Sequence, residues 1–233
     1  MKTQLIVTAD DFGANSNVNR AVLRAHRDGI LTSASLMVAG QAADEAVSIA
    51  RDNPSLAVGL HLALSNTKSI LPPDQIPDLV DVNGRFLTSD IAAGFRYYFN
   101  PRARTQLQME IAAQFDAFAE YGIPLSHVDG HQHLHVHPSV FPIVIKQAIK
   151  CGASGIRLPY EPFTASIMAD SSRPGYKLMV ALGHAYLSCK CRRLCEQSTS
   201  KLPLTLRRSE KKLPLPWRER AGVRGKRCNV HPV

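Results

Sequence analysis

Between residues 5 and 61 the chain alternates short apolar runs with amphipathic segments in the order β-α-β-α-β. No other feature constrains the fold as strongly. Residues 5–9 (Leu-Ile-Val-Thr-Ala) read as a short buried strand, ended by Asp10-Asp11-Phe12-Gly13, since Asp and Gly tolerate tight turns. Asn15 or Ser16 can cap a helix reaching Asp28, with Gly29 as its stop and Val18, Val22, Leu23 and Ala25 as its apolar face. A second strand is expected over 32–38, a helix over 42–51, and a third strand over 56–60 that ends at His61. Strands joined through helices run parallel, so the segment implies a parallel sheet or barrel.

Residues 65–101 break the pattern with Pro72, Pro73, Pro77, Gly84 and Gly94, and with the aromatics Phe86, Phe95, Tyr97, Tyr98 and Phe99. A connection this long is usually a lid or binding loop in a compact domain. A strong helix follows over 102–121, where Leu107, Ile111, Phe115 and Phe118 recur at helical spacing before Gly122-Ile123-Pro124. A fourth strand is expected over 125–129, a helix over 138–150 opened by Pro138, a fifth strand over 154–158 and a last helix over 176–195.

Charge divides the chain sharply. Residues 1–189 hold 15 Lys+Arg against 16 Asp+Glu, a net of −1, and residues 190–233 hold 13 against 3, a net of +10. The overall +9 therefore belongs to the last 44 residues and does not mark the whole chain as a nucleic-acid binder. Residues 199–233 are rich in proline and arginine and have no apolar period. This stretch reads as a foreign reading frame after a frameshift or inserted repeat, with a basic nucleic-acid-binding tail as the other reading, and it is expected to be disordered. The domain division is thus 1–195 for a catalytic domain and 196–233 for the tail. With 45% hydrophobic and 20% charged residues, no run of about 18 apolar residues and no secretory leader, the chain reads as a cytoplasmic globular protein. Five cysteines, mostly late in the chain, form no disulfide framework. Cys189, Cys191 and Cys195 with His184 lack the paired knuckles of a structural zinc site.

Five of the nine histidines lie within 127–137, in Ser-His-Val-Asp-Gly-His-Gln-His-Leu-His-Val-His-Pro from 126 to 138. Imidazole is the commonest protein ligand for divalent metals near neutral pH. On a continuing strand His131, His133, His135 and His137 would share one face. The better reading ends the strand near Asp129, turns the chain at Gly130 and leaves the histidines on a loop. Three strand ends then carry metal-capable groups: Asp10-Asp11, His61, and Asp129 with His131. Parallel strands bring these ends to one rim. One carboxylate and two imidazoles suit a hydrolytic divalent metal, and a second aspartate can take the proton from the attacking water.

These residues resemble the signature blocks of the YdjC/ChbG carbohydrate deacetylases: Thr8-Ala9-Asp10-Asp11-Phe12-Gly13, Gly59-Leu60-His61-Leu62, and the run from His127 to His135. The segments 31–40, 71–81 and 156–162 resemble the HpnK branch, associated with hopanoid biosynthesis. The resemblance covers about residues 4–195. It implies an α/β fold, a distorted (β/α) barrel related to polysaccharide deacetylases and incomplete at the C-terminus. It implies hydrolysis of the N-acetyl group of an amino sugar, carried in this branch on a hopanoid glycolipid, with Mg²⁺ or Zn²⁺. By position, Asp11, His61 and His131 match the metal ligands and Asp10 the catalytic base. His133 or His135 is the acid candidate, Asp129 and His127 support the ligands, and Phe12 and Arg157 contact substrate. The expected partner is the acetylated amino sugar or glycolipid, with no specific nucleic acid; peripheral membrane contact and homo-oligomers are compatible with it. The competing readings are an inactive truncated member and a metal-dependent phosphoesterase.

Overall fold

A computed structural model describes residues 5–159, 167–168, 172–197 and 204–205. Among these residues, β1 (Thr8–Phe12), β2 (Ser33–Leu36), β3 (Ala57–Leu62), β4 (Val128–Gly130), β5 (Ile156–Arg157) and β6 (Leu204–Thr205) form one parallel sheet in sequence order. A doubly wound sheet reverses its strand order at a switch point, whereas an unbroken order means that the chain always winds the same way. The connecting helices are α1 (Ser16–Arg27), α2 (Ala43–Asp52), α3 (Asp90–Phe99), α4 (Pro101–Glu120), α5 (Phe141–Lys150) and α6 (Pro174–Gln197).

Alternation along the strands separates two chemistries. Ala34, Leu36, Val58, Leu60, Leu62, Val128 and Ile156 are buried and share one core with Val22, Val47, Phe115, Phe118 and Val144 from the helices. The residues between them carry Ser33, Ser35, Gly59, His61, Asp129 and Arg157. A one-residue slip would exchange the two sets, so burial of the apolar set fixes the register. Each buried Leu or Val contributes about 1.5–3 kcal/mol to that choice.

Helix starts follow local chemistry. Asn15 caps α1 by accepting from the amides of Asn17 and Val18, and Asn100 caps α4 through Arg102 and Ala103, with Pro101 in the first turn.

Several expectations are corrected. The strand expected over 5–9 starts at Thr8 and runs through Asp10 and Asp11, because parallel pairing with β2 continues to Phe12. Ala25 faces solvent, and the inner position of α1 is taken by the buried Asn19. Asn19 accepts from the Gly13 amide at 2.8 Å and donates to the Ala42 carbonyl at 2.9 Å and to Glu45 at 3.0 Å, which ties the loop after β1 to α2. The long connection is not all loop, since α3 occupies its end. Tyr97 of α3 is buried and donates to the Leu64 carbonyl at 2.6 Å. The helix expected at Pro138 starts at Phe141, with Pro142 in its first turn. Most of the segment read as a disordered tail lies outside the described residues. Of it, Glu196 and Gln197 end α6, and Leu204 and Thr205 pair with β5.

Candidate active site

The site begins with a slip in β1. Thr8 and Ala9 pair with Ser33 and Ala34, yet Phe12 pairs with Leu36, so Asp10 and Asp11 stand opposite Ser35 alone. Asp11 has φ 60°, a left-handed conformation that Asp adopts more readily than most residues. Neighbouring strand residues normally face opposite ways; this bulge brings both carboxylates to the polar side. Asp11 Oδ1 lies 3.0 Å from His131 Nδ1 and 3.3 Å from His61 Nε2. Hydrogen bonds from His131 and then His61 hold the Asp11 carboxyl far below the usual carboxylate range. Asp10 is gripped by the Arg157 fork, with NH1 to Oδ1 at 2.7 Å and NH2 to Oδ2 at 2.8 Å.

The β3–β4 register sets His61 against Asp129. His61 Nδ1–H donates to Asp129 Oδ1 at 2.7 Å, which turns Nε2 toward Asp11. Burial opposes a charge on this ring, but the hydrogen bonds to Asp11 and Asp129 raise His61 to about 9 when the protein groups stand alone. Asp129 Oδ2 accepts from Ser35 at 2.8 Å and lies 3.2 Å from Arg157 NH1. Burial alone would raise the Asp129 carboxyl; His61 outweighs it and holds the group low.

His131 opens a 3₁₀ turn, His131–Val136, in which Gln132 and His133 have φ 53° and 60°. The turn removes the strand alternation considered for these histidines, and each ring goes its own way. His135 is fully buried and donates from Nε2 to the Arg157 carbonyl at 2.8 Å, while burial lowers it to about 4. Gly130 does not make the turn. Its backbone is extended, and a Cβ there would meet His135 Cβ and Nδ1, each at 2.8 Å. His133 stands edge-on to His184 of α6, with ring centroids 5.3 Å apart, and the Nδ1 atoms of both rings are buried without a hydrogen-bond partner. His137 meets Tyr98 of α3 at 6.3 Å between ring centroids.

Two groups among the described residues bring ligand atoms within 4.8 Å of one another: Asp11, His61 and His131, and Asp10, His61 and Asp129. In the second group both carboxylates already serve the Arg157 guanidinium, so a cation there would compete with a fixed charge. The first group has no such competitor, and the Asp11 side chain is 42% exposed and reachable from solvent. One carboxylate and two imidazoles match the donor set of a hydrolytic zinc site with positions left open. Neither group includes Cys189, Cys191, Cys195 or His184.

Of the residues expected at the site, Asp10, Asp11, His61, Asp129, His131 and Arg157 come together, with His127 behind Asp129 at 3.7 Å. Arg157, expected to touch substrate, is held by Asp10 and Asp129. Phe12 is fully buried in the apolar core and does not line the site. Of the two acid candidates, His135 is enclosed and His133 is partly exposed. The sequence reading missed Ser35, which touches both Asp129 and His127. The available signal was the alternation of β2, which puts Ser33 and Ser35 on the side of Asp10 and His61.

A parallel sheet wound in sequence order thus carries a carboxylate–imidazole cluster at its β1, β3 and β4 ends. The YdjC-like protein family matches residues 4–212, and the chain belongs to that family. It is 37% identical over 145 residues to a carbohydrate deacetylase of Brevibacillus brevis, an alignment covering 62% of this chain and 55% of the relative. It is 37% identical over 163 residues to a carbohydrate deacetylase of Geobacillus stearothermophilus, covering 70% of this chain and 60% of the relative. A solved structure from Enterococcus faecalis, described as a cellobiose-phosphate cleavage protein, superposes with a TM-score of 0.57 at 28% identity and covers 76% of this chain and 64% of its own. The chain thus spans less than two thirds of the length of the relatives it matches.

Proposed function

We propose that this chain is a metal-dependent carbohydrate deacetylase that hydrolyses the N-acetyl group of an amino sugar. The observation that carries the reading is the convergence of Asp11, His61 and His131, with Asp10 beside them. The deacetylase names of the two curated relatives support it. Asp11, His61 and His131 would hold the ion, and their mixed oxygen and nitrogen donors favour Zn²⁺ over Mg²⁺, which prefers oxygen and keeps its waters. When bound, such an ion polarises an acetyl carbonyl and lowers the pKa of water. Asp10 is the base for the attacking water, and the Arg157 fork fixes its two oxygens relative to the ligands. Asp129 holds His61 by Nδ1 and keeps Nε2 turned inward. His133, partly exposed and two residues beyond the ligand His131, is the group to protonate the departing amine.

The finer assignment is to the HpnK branch, with an acetylated amino sugar on a hopanoid glycolipid as substrate and a (β/α) barrel as the complete fold. The sequential strand order supports the barrel. The test is acetate release from soluble and hopanoid-linked N-acetylglucosaminyl substrates after loading with Zn²⁺ or Mg²⁺. Metal-dependent release is expected. His61→Ala and His131→Ala each remove a ligand worth several kcal/mol, so each should lower the rate about 1,000-fold and abolish metal retention. Phosphate release without acetate would replace this reading with a phosphoesterase. A folded, metal-loaded protein that releases neither would point to an inactive member.

A further inference from the structure

Ser35, His127 and Ser126 form a buried hydrogen-bond line that ends on Asp129, and the protons on it can be assigned without choice. A hydroxyl has one proton and an ionised carboxylate only accepts. Ser35 Oγ–H must therefore go to Asp129 Oδ2, at 2.8 Å. The 3.0 Å contact between Ser35 Oγ and His127 Nε2 then has the imidazole as donor. Burial favours the neutral His127 ring, whose one proton is then on Nε2, and Nδ1 accepts from Ser126 Oγ–H at 2.7 Å. Ser35 and Asp129 are fully buried and His127 nearly so, so water does not compete for the bonds among them, while the Ser126 end is part-buried. Gly59 leaves room for the line, since a Cβ there would collide with the His127 ring and carbonyl.

We infer that Ser35, itself oriented by His127, is a positioning residue that fixes the rotation of the Asp129 carboxylate and, through it, the ring of His61. With Oδ2 occupied by Ser35 and Arg157, Oδ1 alone is left for His61 Nδ1, and one ring orientation follows. Without the Ser35 hydroxyl, Oδ2 keeps a guanidinium that Asp10 also holds and the His127 ring at 3.7 Å, beyond hydrogen-bond distance, and His127 Nε2–H loses its close acceptor. The part of this inference that concerns metal rests on the reading above, but the ring orientation of His61 does not.

The experiment compares the full chain with Ser35→Ala by two readouts. One is the ¹⁵N and ring-proton NMR signature of His61 in metal-free protein; the other is the affinity for Zn²⁺ by direct titration. The expected result is a changed His61 signature and Zn²⁺ binding weakened about 10–100-fold, the usual range for a lost partner behind a ligand. Ser35→Thr, which keeps the hydroxyl, should restore both. If the parent binds no Zn²⁺, the metal reading fails, and the His61 signature alone judges the line. If Ser35→Ala does not fold, Ser126→Ala at the part-buried end replaces it, with a shifted His127 signature and a Zn²⁺ affinity lowered about threefold expected. An unchanged His61 signature in Ser35→Ala with Zn²⁺ affinity within threefold of the parent overturns the inference, as does an unchanged His127 signature in Ser126→Ala.

Discussion

Gly130 shows how much the site depends on single atoms. Its φ of −158° is open to any residue, so conformation does not explain the glycine. Space does: an added methyl would press on His135 at 2.8 Å, and His135 is held from the other side by the Arg157 carbonyl. Gly130→Ala must therefore push back either the histidine turn or β5, and should cost about 1–3 kcal/mol, as overpacking a filled interior does. Urea denaturation of the variant checks this, and no loss of stability would mean that the turn has slack. Much of the site was legible at this scale. Asp10-Asp11, His61 and Asp129 with His131 were readable because each stands at a strand end beside glycine or further polar residues. The Asp10–Arg157 fork joins residues 147 positions apart, and no local pattern announces such a pair. Nor could alternation foresee the positive φ at Gln132 and His133 that scatters the histidines.

At the scale of elements, α4 secures the long connection. Glu110 is fully buried and accepts from the amides of Ile70 and Leu71, both at 2.9 Å. Gln114 bonds Glu110 and both backbone groups of Ala63. Glu110→Ala leaves two amides without their acceptor, at about 1–3 kcal/mol each if they stay buried. Limited proteolysis should then cut within residues 66–88 faster than in the parent, and equal rates would show that the connection is held elsewhere. The α4 period was clear in the sequence, but Glu110 and Gln114 looked like ordinary polar positions because their partners lie about 40–50 residues away. The helix α6 gives a pH effect. Burial pushes the Cys191 thiol up to about 12 and the Cys195 thiol up to about 11, from 9.0. Neutral thiols are favoured in the folded chain, so their contribution is intact below about pH 9 and is lost as pH rises from there toward 11–12. The denaturation midpoint should fall over that window. At pH 8 iodoacetamide should label the exposed Cys189 well before the other two. Simultaneous labelling would contradict the packing of α6.

For the whole molecule, a cation held by Asp11, His61 and His131 binds only where three separate strand ends have met, so it stabilises the folded state alone. At a free concentration 100 times its Kd, Zn²⁺ should add about 2.7 kcal/mol. For a chain of this size that raises Tm by about 5–10 °C. Thermal melts with Zn²⁺ and with a chelator test this, and His131→Ala should lose the response. The parallel sheet was legible because each apolar run alternates with a helix, but its unbroken strand order was not, since a doubly wound sheet shows the same alternation. The limits of β1 were not, because the slip opposite Ser35 depends on pairing with β2 rather than on any residue within β1.

That slip has a consequence for how this part of the chain can change. Asp10 and Asp11 are adjacent letters with the same chemistry, yet one is committed to a guanidinium and the other to two imidazoles. Their separate duties are set by counting, two residues against one, and not by what kind of residue they are. Substitution in this segment alters one duty at a time. Loss of a single codon between Thr8 and Phe12 would leave one residue opposite Ser35 for both duties, so the spelling of this segment is protected less by its letters than by its length.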